Sequence, residues 1–130
     1  MRSARFVLIS VLLSTLPACI VAAAAVAAGA VGYVQYEKNE AYQDFKRGIG
    51  PVWRACRAAL DAQGYEIRGD VAKTLPEDAT QGEIEGEDYR VRVERYEGDV
   101  IRVRVRIGTF DTEDNRRKAR LLLEEVGKKL

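Results

Sequence analysis

Five arginines alternate along two short runs: Arg90 and Arg92 in Tyr89-Arg90-Val91-Arg92-Val93, then Arg102, Arg104 and Arg106 in Ile101-Arg102-Val103-Arg104-Val105-Arg106-Ile107. A spacing of two puts every side chain of such a run on one face of a β-strand. Guanidiniums gathered this way could hold a phosphate, a phospholipid or lipid A head group, or another polyanion. Arg102, Arg104 and Arg106 therefore form the candidate anion or partner surface. The competing reading is an ion-pair ladder. A two-residue turn at Glu87-Asp88 would set Glu85 opposite Arg90, Glu83 opposite Arg92 and Ile84 opposite Val91. A three-residue turn at 97–99 would set Glu94 opposite Arg102. Cross-strand pairs of opposite charge contribute about 0.2–1 kcal/mol each, and like charges directly opposed are unfavourable. The same register opposes Arg92 to Arg104 and Arg90 to Arg106, so the residual basic centre is expected at Arg104 and Arg106.

Other chemistry is scarce. The chain has no histidine and only two cysteines, Cys19 and Cys56. Its serines, Ser3, Ser10 and Ser14, all precede Cys19. Beyond that point there is no serine nucleophile, no imidazole base and no histidine metal ligand. No carboxylate pair sits in an apolar stretch of the kind acid–base chemistry uses. The expectation is a protein that is not an enzyme, with no catalytic residues, no metal site and no cofactor. Cys56 lies on an apolar helical stripe, where a small buried hydrophobe outweighs a reactive thiol.

The elements that would position the arginines can be placed from periodicity. A first strand is expected within Tyr36 to Phe45. Gly48-Ile49-Gly50-Pro51 breaks the chain and opens a helix over about 51–63, with Val52, Cys56, Ala59 and Leu60 on one stripe and Gly64 as its cap. Strands are expected at Tyr65 to Val71, Thr80 to Gly86, Tyr89 to Tyr96 and Val100 to Ile107. A last helix over about 112–129 is capped by Asp111 or Thr112, with Ala119, Leu122, Leu123 and Val126 inward. The order β-α-β-β-β-β-α defines an α+β domain, an antiparallel sheet with two helices on one face. Gly69, Gly82 and Gly86 fall near the inward side, where they leave room for a lipid-sized cavity or for close helix packing.

The N-terminal region has a separate logic. Arg2 and Arg5 precede an apolar run from Phe6 to Leu13, and Leu16-Pro17-Ala18 stands directly before Cys19. A short basic end, an apolar core and a small residue before a cut describe a signal peptide over 1–18. Leu16 to Cys19 resembles the lipobox of bacterial lipoproteins, in which the cysteine becomes the lipidated first residue. Pro17 departs from the small or β-branched residue usual at that place. Residues 19–35 would then be a lipidated cysteine and an Ala/Gly-rich spacer, and 36–130 a single domain. The alternative is an uncleaved membrane helix, since no charge occurs from Phe6 to Val34 and about 20 apolar residues span a bilayer. Without 1–18 the chain carries 19 basic and 20 acidic residues. That balance disfavours nucleic acid as a partner.

Tyr33-Val34, Pro51-Val52-Trp53, Ala58-Ala59-Leu60, Gly64-Tyr65-Glu66-Ile67 and Val103 through Phe110 carry a further resemblance. The chain is similar to a family of small bacterial lipoproteins catalogued as a domain of unknown function, number 3568. The resemblance covers nearly the whole chain and implies an exported, lipid-anchored envelope protein. Its partners would be the membrane, through the lipid on Cys19, and an envelope protein or an anionic glycolipid. By resemblance to sorted bacterial lipoproteins, Ile20 after the cysteine implies the outer membrane, facing the periplasm.

Overall fold

Two neighbouring runs rich in aromatic and β-branched residues, Ala30–Glu37 (β1) and Glu40–Phe45 (β2), pair as an antiparallel hairpin around Lys38-Asn39. In β2 the alternation is complete: Ala41, Gln43 and Phe45 are buried, while Glu40, Tyr42 and Asp44 face the other way. β1 is less regular, with its register shifting between Val31 and Gln35. Gly32 adopts a φ of 75° in this bulge, and its carbonyl accepts a hydrogen bond from Gln43 Nε2 at 3.3 Å. That bond supplies the partner a buried amide needs. The computed structural model describes residues 29–130.

The first helix, α1, spans Ile49–Ala62 and begins with Pro51 in its first turn. Gly64, at a φ of 78°, ends it: Gly64 N–H donates to Asp61 O at 3.1 Å and Tyr65 N–H to Leu60 O at 2.9 Å. This double bond is the Schellman arrangement that only a residue free to adopt positive φ closes without strain. Three strands follow, β3 (Gln81–Glu85), β4 (Tyr89–Glu97) and β5 (Val100–Ile107), then α2 (Glu113–Lys129). The Thr112 hydroxyl caps α2 by accepting from Asn115 N–H at 3.1 Å.

The sheet order is β1-β2-β5-β4-β3, antiparallel throughout. Both helices lie on one face, α2 against β5, β2 and β1, and α1 against β4 and α2. The core between them holds Phe45, Val52, Trp53, Leu60, Ile84, Val91, Val93, Ile101, Val103, Leu122 and Leu123. The α+β class and the antiparallel sheet with two helices are thus observed, with a different element order, β-β-α-β-β-β-α.

Two expectations are corrected. The single first strand is a hairpin, and its first arm takes in residues 30–35, the end of the expected spacer. No strand forms at Tyr65 to Val71. Arg68 to Val71 turns instead, with Val71 N–H donating to Arg68 O at 3.2 Å. The carbonyls here are bound by side chains: Trp53 Nε1 and Arg57 Nη1 both donate to Ala72 O at 3.0 Å, and Tyr89 Oη donates to Glu66 O at 2.6 Å. Side chains and a turn thus hold part of the backbone here in place of a sheet neighbour.

Candidate functional site

The arginine runs occupy β4 and β5, and their side chains all point away from the helices. The strand pairing follows the register deduced from the turns: Glu85 opposes Arg90, Glu83 opposes Arg92, Glu94 opposes Arg102, and Arg104 and Arg106 oppose Arg92 and Arg90. Arg90 Nε lies 2.6 Å from Glu85 Oε1, and Arg92 Nε lies 3.3 Å from Glu83 Oε2. The hydrogen bond from Arg90 holds the Glu85 carboxyl below the usual carboxylate range.

β2 adds what the sequence did not suggest. It lies beside β5, so Asp44 stands opposite Arg102 and Tyr42 opposite Arg104. Arg102 binds Asp44 with both prongs of its fork, Nε to Oδ1 at 2.7 Å and Nη2 to Oδ2 at 2.9 Å. Its guanidinium carbon also lies 3.5 Å from the Tyr96 ring centroid and 4.4 Å from that of Tyr42. The hydrogen bond to Asp44 pushes the Arg102 pKa further up. Arg104 donates to Glu94 at 2.9 Å and to Glu37 at 3.3 Å, with Glu40 at 3.8 Å. Those bonds, the one to Glu94 first, raise its pKa too. Arg106 has no carboxylate within 4.0 Å among the described residues.

Of the three arginines forming the candidate surface, two are therefore spoken for. A bidentate, stacked guanidinium such as Arg102 has few donors left for an external anion. An open depression of about 370 Å³ lies next to this ladder, lined by Glu37, Lys38, Asn39, Glu40, Arg92, Glu94 and Arg104. With three carboxylates and three cations around it, it has no net charge to select a polyanion. The missed partners sit in a stretch with a usable signal. Glu40-Ala41-Tyr42-Gln43-Asp44-Phe45 alternates polar and apolar except at Gln43, and that inward amide blurred the pattern.

Elsewhere, the room left by Gly82 is filled. A Cβ there would meet Leu75 Cδ1 at 2.6 Å and Trp53 Cζ3 at 2.7 Å, so this glycine admits close packing from α1 and the preceding loop. Cys56 is buried, and burial pushes its thiol up to about 12. Among the described residues, no group of three or more His, Cys, Asp or Glu is placed to hold a metal, and no helix is long and apolar enough to cross a membrane. Residues 1–18, Cys19 and the spacer up to residue 28 lie outside the described residues.

Fold and face together define a small α+β domain with a sheet whose outer surface is an internally compensated ladder of arginines and carboxylates. The chain belongs to the family described as Protein of unknown function (DUF3568), whose model matches residues 4–128. No curated protein matches it significantly.

Proposed function

We propose that this protein is an exported, lipid-anchored envelope protein acting as a non-catalytic binding or structural module. The observation that carries the reading is Leu16-Pro17-Ala18-Cys19 after the apolar run Phe6 to Leu13. The position of β1 supports it. The strand begins at Ala30, so residues 20–29 remain as a tether of at most about 35 Å at roughly 3.3–3.6 Å per residue. The paired outer face supports a structural role for Arg102 and Arg104. Of the three candidate arginines it leaves Arg106, opposite Arg90, as the one with no carboxylate partner to compete with an envelope protein or an anionic glycolipid.

The test is the intact mass of the protein extracted from membranes, beside the Cys19→Ala variant. The expected species begins at Cys19, carries added acyl mass, and is missing from the variant. A mass beginning at Met1 in both replaces the lipid with an uncleaved membrane helix ahead of β1. Protein of unmodified mass in the soluble fraction overturns the anchored reading altogether.

A further inference from the structure

The segment that leads into the domain joins the sheet at a basic corner. Lys46 N–H donates to Gly29 O at 2.8 Å, and the Arg47 side chain lies over Gly29, its Nε 3.1 Å from where a Cβ would stand. Both cations are exposed, and neither has a carboxylate within 4.0 Å among the described residues. β1 carries Val31, 43% exposed, and Tyr33, 77% exposed, on the free edge of the sheet next to this corner. α2 runs back over β5, β2 and β1 and ends with Lys128 and Lys129, which share Glu125 at 3.6 and 3.7 Å. Of the acidic groups at this end of the sheet, Glu97 and Asp99 flank the turn from β4 to β5, away from β1, while the Glu77 carboxylate lies against Gly48 and Gly50, just beyond Arg47. The unpaired cations Lys46 and Arg47 thus mark the side where the chain enters, with Glu77 beyond them and the acidic β4–β5 turn on the far side.

We propose that the corner formed by Val31, Tyr33, Lys46 and Arg47 rests on an anionic phospholipid surface. The inference rests on the anchored reading in either form, acyl chain or membrane helix, because the anchor would come within ten residues of β1. A domain so tethered meets the bilayer first at the point where its chain enters. Cations there gain about a factor of five each in partition to an anionic surface, and a tyrosine suits the headgroup layer. The acidic turn on the other side is repelled, which tilts the domain onto its β1 edge.

The test uses the full-length protein reconstituted in vesicles of phosphatidylcholine with phosphatidylglycerol, or of phosphatidylcholine alone. The photo-crosslinker p-benzoylphenylalanine replaces Tyr33, or Phe110, which is 75% exposed beyond the opposite end of β5. The expected result is a phospholipid adduct at position 33 and little at 110. That adduct should fall about five-fold or more with Lys46→Glu and Arg47→Glu together. It should fall likewise in phosphatidylcholine alone, an arm that needs no charge variant. Equal adducts at both positions, an adduct indifferent to charge, or a crosslink from 33 to a second copy of the chain would overturn the proposal. Protein that floats with the vesicles yet gives no lipid adduct at 33 sinks the docking and spares the anchor. Protein that fails to float sinks both.

Discussion

Arg102 is held more tightly than any other cation on the outer face. Its side chain is 11% exposed and that of Asp44 18%, so the pair is largely withdrawn from water. Removing one member of such a pair leaves the other poorly solvated, and this costs more than the pair contributes. Asp44→Ala is expected to lower stability by about 2–3 kcal/mol by denaturant titration. Adding Arg102→Leu should recover part of that loss, and a strictly additive double-mutant cycle would show that the two side chains are not coupled. Cys56 makes a second prediction at this scale. In the unfolded chain its thiol ionises near its ordinary value of 9.0, whereas burial raises it to about 12 in the fold. The unfolded state therefore loses its proton first as pH rises. The stability contributed by the neutral buried thiol is complete below pH 9 and is lost between pH 9 and 12, by up to ~1.4 kcal/mol per pH unit. Cys56→Ala should flatten stability against pH in that window; an unchanged slope would mean that the thiol is not the titrating group.

At the scale of elements, legibility followed the cleanness of the period. β5 and the first half of β4 alternate without a break and disclosed both their faces and the opposition of Arg92 to Arg104. The expected three-residue turn at 97–99 is instead the two-residue turn Gly98-Asp99, and a bulge between Arg95 and Glu97 restores the same register. Both helices were equally plain from their apolar stripes and caps. The β1–β2 hairpin was not, because Gln43 is a polar residue on the inward face and a bulge interrupts β1. Tyr65 to Val71 erred in the other direction: Tyr65, Ile67 and Val71 do pack against the core, but as separate anchors on an irregular segment. Part of the candidate surface was hidden for the same reason, since Asp44, which binds Arg102, and Glu37 and Glu40, which join Glu94 around Arg104, come from the hairpin. The irregular segment depends on Trp53, which is 2% exposed, holds Ala72 O, and lies against Gly82 of β3. Gly82→Ala forces a methyl into that contact, and overpacking of this kind costs about 1–3 kcal/mol. The chain has one tryptophan, so its fluorescence reports the site directly. A lower melting temperature with a shifted emission is expected; unchanged emission would show that the loop yields instead of the ring.

For the whole molecule, the important boundary is where the fold begins. Composition suggested that the Ala/Gly-rich stretch to residue 35 was a spacer, yet Ala30 is 9% exposed and belongs to the core, and Val34 packs against it. β1 also covers the edge of β2, which would otherwise present a row of unpaired backbone groups. β1 further supplies Glu37 to Arg104, so the outer ladder loses that carboxylate when β1 is removed. A chain starting at Gly29 should therefore fold cooperatively, whereas one starting at Lys38 should not keep its stability. Each kcal/mol lost lowers the melting temperature of a domain this size by about 4–8 °C, so the shorter chain should melt on the order of 10 °C lower or unfold. It should also self-associate through the bared edge of β2, visible as a concentration-dependent sedimentation coefficient. Equal melting temperatures for the two chains would return residues 30–37 to the tether, lengthen the reach of the anchor, and remove the geometric reason for the basic corner to lie at a membrane.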